Sequence, residues 1–374
     1  MSEAAFVNMF TVLRVLVVGG MLLVLPLITR KGLLFGAYVG EELAVGDAAR
    51  GLVRRWNLGC LMLMGLSLAV GLGISLAGKP LAGNLTATAI LLLAALVLYL
   101  RMYYAARVLA PPETARQAEL AAAPLELVEP RGAALAKLAL GVCLLAGIAT
   151  VVYAAVSYGS IPDRMPIHFG ASGEADDWYE RSVTFVMLAP SLNLVICPFM
   201  ALLALLMARA KLSVRGGSGG RSLEAQKAFR AVNARLFSGA ALFMSVLLTF
   251  ISVQMIRIGL SQGHSLLAGL LIISITMVLY MLGGLIWIIV KHGQGGALVE
   301  AGSTEAPLTN GLADNTHWVW GVFYVNKNDS SMMVEKRFGI GYAMNYGNPT
   351  AVAMIVTFLL LTLGLALIGL IEAA

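Results

Sequence analysis

Eight times along the chain, apolar residues run for about 20 positions with scarcely a charge among them. The runs cover approximately 7–29, 57–77, 85–106, 134–158, 183–207, 236–256, 266–290 and 351–371. About 20 such residues are what a helix needs to cross a hydrocarbon core of roughly 30 Å. Lipid offers no partner to free backbone N–H and C=O groups, so each run predicts a helix that closes its own hydrogen bonds. Polar positions gather between the runs. Residues 111–133 open on Pro111-Pro112 and close on Glu129-Pro130, which predicts a linker with a turn or so of helix. Residues 213–222, SVRGGSGGRS, predict a flexible connection, and LEAQKAFRAVNARLF after it has helical spacing with a basic face. The glycines there lack the Lys-Ser/Thr and the preceding strand of a phosphate loop, so they read as a linker.

The pattern changes between His317 and Pro349, where aromatic and β-branched residues replace the helical stripe. Trp318 to Val325 alternates enough for a strand, and Met332 to Arg337 can return antiparallel across an Asn/Asp-rich turn at residues 326–331. Gly339, Gly341, Gly347 and Asn348-Pro349 then allow the tight backbone that feeds the last helix. Two roles stay open for this module: a structural cap with Trp318 and Trp320 at the headgroups, or a sensing and docking surface. The expected fold class is an all-α polytopic membrane protein of about eight transmembrane helices with a small cytoplasmic β-hairpin element. Its expected parts are a three-helix region at 1–133, a two-helix unit at 134–212 and a linker with helices six and seven at 213–291. The loop with the β-rich module follows at 292–350, and the last helix at 351–374.

Composition excludes a soluble protein: 59% of residues are hydrophobic and 12% charged, with a mean hydropathy of +0.85, whereas soluble proteins are roughly 25% charged. The basic residues orient the bundle. Twenty-one Lys and Arg fall in alternate connections, at 30–56, 101–137, 208–235 and 291–337, against four (Lys79, Arg164, Arg181 and Arg257) in the others. Short basic loops stay cytoplasmic, so the bias predicts both termini outside. The net charge of +6 is thereby a topology signal with some attraction to anionic headgroups, and calls for no nucleic-acid partner. The first run follows Glu3 and no base, and Arg30 and Lys31 come after it, so it reads as a retained helix and not a signal peptide. Arg14, near that span's outer end, reads as a side chain snorkelling to the headgroups.

Candidate chemistry concentrates in one short connection, PIHFGASGEADDW from Pro166 to Trp178. Pro162 and Pro166 stop the fourth span, and Gly170 and Gly173 permit a compact turn. Asp176 and Asp177 precede the fifth span and are expected to cap its N-terminus, where free amides favour negative charge. That leaves His168 and Glu174 without a structural reason. One histidine with three carboxylates is a thin ligand set, so no metal and no cofactor are expected. No serine or cysteine has an evident histidine partner, there is no HExxH, and His168, His264, His292 and His317 are divided between faces. No catalytic residue is assigned, and the chain reads as a non-enzyme. Cys60, Cys143 and Cys197 lie within spans and read as packing residues, and the sequon at Asn84 sits too near the membrane to weigh.

The outer motif resembles the signature of the SdpI-like family of bacterial multipass membrane proteins, through Pro166, His168, Phe169, Gly173, Asp176 and Trp178; Ala175 stands where proline is frequent. Residues from Trp318 to Pro349 resemble an uncharacterised module of longer relatives, WxWGxFYxNxxD, VExRxGxG and NxGNP. It is carried here by Trp318, Trp320, Gly321, Phe323, Tyr324, Asn326, Asp329, Val334, Glu335, Arg337, Gly339, Gly341, Asn345, Gly347, Asn348 and Pro349. The resemblance implies a bacterial inner-membrane protein and, from some relatives, immunity to a secreted toxic peptide and sequestration of a transcriptional regulator at the membrane. The expected function is accordingly a sensor or immunity-type protective factor, with Pro166, His168, Phe169, Gly173, Glu174, Asp176, Asp177 and Trp178 as the ligand-binding motif. Its partners would be the bilayer, an external toxic peptide and a cytoplasmic regulator. The alternative is a small-molecule or ion transporter using Asn193 beside Pro190 and Pro198, Gln254 and Tyr280, for which a broken fifth helix would speak; a membrane-embedded enzyme comes last.

Overall fold

The computed structural model describes residues 3–29, 31–110, 129–169, 175–212, 219–260, 267–296, 298 and 315–373; for residues 3, 166–169, 175–176, 219–222, 267 and 369–373 this is the backbone alone. Its helices are α1 (Glu3–Val24), a short α2 (Glu41–Ala44), α3 (Asp47–Leu76), α4 (Pro80–Leu109), α5 (Ala133–Ser157), α6 (Val183–Ala208), α7 (Gly219–Gly259), α8 (Leu267–Lys291) and α9 (Pro349–Ala373). Eight of them are long and apolar enough to cross a membrane. Large apolar side chains such as Leu93, Leu145, Ile272 and Leu360 point outward. The buried faces are built from small residues instead. Ala139, Cys143, Cys197, Ala201 and Ala241 form one such contact, and an added Cβ on Gly71 of α3 would lie 2.7 Å from the Ala87 methyl of α4. Lipid tails are as apolar as leucine, so helices associate through close backbone approach, which small residues allow.

Extensive helix contacts fall within two groups, α1 with α3 and α4, and α5 with α6 and α7 flanked by α8 and α9. The three cysteines are free and buried, as packing residues are. Helix α7 is 41 residues long, about 61 Å at 1.5 Å per residue. The basic segment expected as a separate juxtamembrane helix is its first part. At one end of the bundle β3 (Arg164–Phe169) and β4 (Ala175–Glu180) form an antiparallel hairpin between α5 and α6. At the other end, β1 (Leu33–Leu34) pairs β2 (Ala37–Tyr38), β5 (Trp318–Val319) pairs β6 (Phe323–Tyr324), and β7 (Met333–Glu335) pairs β8 (Tyr342–Met344).

Residues 315–348 are ordered against the helix ends, but their pairing corrects the sequence expectation. Residues 326–331 do not turn β6 back on β7. The reversals lie at Trp320-Gly321 and between Glu335 and Tyr342, where Gly321, Gly339 and Gly341 take positive φ. Tyr324 instead makes a parallel bridge with Asn345. Glycine supplies left-handed backbone at little steric cost, so its position decided the turns over the Asn/Asp run.

Candidate functional site

At the hairpin end, β3 and β4 pair from Arg164–Glu180 up to Phe169–Ala175, with register shifts on either side of His168. Two residues advance on β3 between the Pro166–Trp178 and His168–Asp177 pairs, and two on β4 before Phe169–Ala175. These offsetting irregularities set His168 opposite Asp177 in register. Bulges re-aim side chains and gather beside functional sites. Asp177 and Trp178 are exposed, Trp178 at 48%. Gly173 and Glu174 lie outside the described residues, as do the side chains of Pro166, His168, Phe169 and Asp176.

The expected capping role is corrected here. The N-cap of α6 is Ser182, whose Oγ accepts from the Phe185 amide at 3.0 Å, and Asp177 Oδ1 accepts from the Trp178 amide at 2.8 Å. Because β4 continues to Glu180, the backbone at Asp176 and Asp177 is strand, and the Asp177 carboxylate is turned to the amide of Trp178 and not to the helix. Arg181, read from sequence only as an outer charge, is what anchors the hairpin. Its Nη1 donates to the Ile161 carbonyl at 2.5 Å and the Tyr158 carbonyl at 3.2 Å, its guanidinium lies 5.0 Å from the Tyr158 ring, and its amide donates to Asp163 O at 2.8 Å. Beneath it Ile161 and Met165 are buried against Ala154, Val186 and Ile256.

At the opposite end, two glycine turns meet tip to tip. An added Cβ on Gly36 would lie 2.6 Å from the Gly321 carbonyl oxygen. Phe35 and Trp320, which precede them, also take positive φ, at 46° and 52°. Burial of the Phe35 ring beside Trp56 and Phe338 offsets that strain. The Tyr99 hydroxyl of α4 sits between the turns, 2.7 Å from the Trp320 carbonyl and 3.2 Å from that of Phe35. The β1–β2 hairpin had no sequence forecast: Phe-Gly is an uncommon pair for such a turn.

Buried amides hold the rest of this cap. Asn315 accepts from the Tyr38 amide at 3.0 Å and from Arg337 Nη1 at 2.6 Å, and Arg337, fully buried, lies 5.0 Å over Trp318. Gln294, after α8, accepts from the Gly341 amide at 2.8 Å and donates toward Lys336 O, Gly341 O and Glu335 Oε1. Buried Val334 packs with Trp318 and Tyr324. Phe323 stacks edge-on against Trp320 and Tyr346, while Asn348 Oδ1 accepts from the Thr350 amide ahead of α9, where Pro349 opens the helix. Asn315 and Gln294 were missed because a lone amide in a loop carries no periodic signal.

Asp329 joins the cap to the bundle. Its Oδ2 accepts from Lys211 Nζ at 2.9 Å and Tyr324 Oη at 3.0 Å, and its Oδ1 from the Ser331 amide at 2.9 Å. Burial pushes its carboxyl up, but hydrogen bonds from Lys211 and Ser331 and the Lys211 charge outweigh this and hold the pKa below the ordinary value. A lowered folded pKa means stability that is present at neutral pH and lost as pH falls through that pKa. Asp329→Asn should therefore make the cap more protease-sensitive at neutral pH, and the difference from wild type should narrow as pH drops below about 4. Equal sensitivity at neutral pH would show that the pair contributes nothing.

Spanning-length helices with small β elements at opposite ends define a multipass membrane protein. Residues 145–192, which hold the end of α5, the β3–β4 hairpin and the start of α6, match a family model described as a domain of unknown function, DUF1648. Residues 327–352, the second half of the cap, match one described as a family of unknown function, DUF5808. No curated protein and no solved structure matches the chain. Among the described residues, no three His, Cys, Asp or Glu are grouped as a metal ion would require.

Proposed function

We propose that this protein is a non-enzymatic sensor or protective factor that meets an external membrane-active ligand at the β3–β4 hairpin. The observation that carries the reading is the reach of α7. Phe229 near its start packs on Tyr342 of the cap with ring centroids 5.7 Å apart, and Ile256 near its end packs on Met165 beneath the hairpin. They lie 27 positions apart, about 40 Å along the helix, so one helix touches both β elements. In the bacterial inner membrane, with the basic connections inside, the hairpin would face outward and the cap the cytoplasm. The resemblance to the SdpI-like family supports the same assignment, with an external toxic peptide as ligand and a transcriptional regulator as the partner of the cap.

The test is in living cells. Wild type should protect a sensitive strain against at least one of a panel of amphipathic membrane-active peptides. His168→Ala and Asp176→Asn should abolish that protection while the amount of protein in the membrane stays near normal. If both variants protect fully, or fail only as the protein disappears, the hairpin is a structural element and the reading is wrong. The transporter alternative has less support. Helix α6 runs unbroken through Pro190 and Pro198, Asn193 donates to Thr249 of α7 at 3.0 Å, and the Tyr280 hydroxyl is spent on the Arg235 carbonyl at 3.2 Å.

A further inference from the structure

Helix α7 is covered by α5 on one side and α8 on the other, and a strip of it between them stays open. The groove over this strip encloses about 530 Å³, within the roughly 300–1,000 Å³ of small-molecule sites. From Leu242 to Arg257, both of which line it, it follows α7 for about 22 Å. Val142 and Ala146 of α5 form one wall and Ile273 of α8 the other. Its lining is mostly apolar, with Ser245 and Thr249 along its length and Gln254 and Arg257 toward the hairpin end.

Two groups at that end lack partners. Arg257 is exposed and has no hydrogen bond or ion pair among the described residues. About one turn deeper, Gln254 Oε1 is buried with no hydrogen-bond donor. An amide oxygen left unpaired in a lipid-facing groove costs stability, because no bulk water reaches it. A ligand that offers an anion at the mouth, a hydroxyl one turn below and one apolar chain beyond would match Arg257, Gln254 and the apolar walls. We infer that the groove binds a monoacyl phospholipid, its phosphate on Arg257, its free glycerol hydroxyl donating to Gln254, and its acyl chain along α7. A diacyl lipid whose headgroup is the bare phosphate has both glycerol positions esterified and brings no such glycerol donor. The inference is independent of the hairpin's proposed role, since among the described residues no hairpin side chain lines the groove.

Full-length protein purified in mild detergent would be incubated with lysophosphatidic acid, monoacylglycerol or diacyl phosphatidic acid, and the retained lipid counted by native mass spectrometry. Wild type should keep one lysophosphatidic acid, about tenfold in preference to the phosphate-free monoacylglycerol, the value of one charge-assisted hydrogen bond. Arg257→Gln should erase that preference. Gln254→Leu, close in volume, should weaken retention of lysophosphatidic acid and leave that of diacyl phosphatidic acid unchanged. Ala146→Phe, which blocks the chain's path, should remove retention of both. Equal retention of lysophosphatidic acid and monoacylglycerol by wild type, or undiminished retention of lysophosphatidic acid by Arg257→Gln, means an adventitious additive only and overturns the inference. Undiminished retention by Gln254→Leu overturns the assignment of the hydroxyl.

Discussion

Replacing Asn345 by alanine should unfold the β5–β8 cap while the membrane helices stay folded. Asn345 is fully buried. Its Oδ1 accepts from the amides of Asn326 at 3.0 Å and Gly347 at 2.9 Å. Its Nδ2 faces the carbonyls of Asn326 and Asp329 at 2.9 Å and of Ser331 at 3.1 Å. Alanine would leave two donors and at least two acceptors facing a void. At about 1 kcal/mol each, the low end for an unsatisfied buried group, the loss is about 4 kcal/mol, a large share of the roughly 5–15 kcal/mol that holds a domain together. Limited proteolysis within 315–348 should accelerate sharply, with helical circular dichroism unchanged. Asn345→Asp keeps the acceptor for the two amides but turns a carboxylate oxygen on the carbonyls, and should fail nearly as badly. A cap that resists protease in both variants would sink this account.

The second large effect is expected at the paired glycine turns. Gly36→Ala and Gly321→Ala each add a methyl within 2.6–2.9 Å of the opposite turn's backbone, at φ of 80° and 70°. Backbone cannot rotate away as a side chain can. The left-handed conformation costs roughly 1–2 kcal/mol and overpacking a further 1–3 kcal/mol, so each substitution should destabilise the cap by roughly 3 kcal/mol. Gly40 supplies the control: its φ is 93°, but nothing lies within 4 Å of the added methyl. Gly40→Ala should cost the conformational part alone. Thermal unfolding of the three variants in detergent separates the two contributions, and equal losses at Gly40 and Gly321 would show that the contact between the turns is unimportant.

Function reads across the same particulars. The outer motif was visible as chemistry because His, Glu and Asp are rare in this chain and fall together. The role first given to its carboxylates failed, because a strand extending to Glu180 hands the helix cap to Ser182. Arg181, which anchors the hairpin through the Ile161 and Tyr158 carbonyls, looked like any other loop charge. The aromatic module was legible as β structure and its glycines as turns, but the turn was assigned to 326–331. That segment is held by the Asn345 side chain, a contact across 14 to 19 residues that no local pattern announces.

What the sequence by itself determined is the set of spanning helices. Each depends on a run long enough for the bilayer and on hydrogen bonds made within the run, both local properties. Which connections share an end of the bundle also follows, since helices that span must alternate. Only the tertiary structure decided how the ends are closed. Gly36 meets Gly321, Asn315 binds the Tyr38 backbone, and Gln294 binds Gly341, joining segments hundreds or tens of residues apart. The groove along α7 is likewise a product of packing, because it exists where α5 and α8 stop covering the same helix. Such pairings depend on shape and on individual buried amides, for which hydropathy has no period.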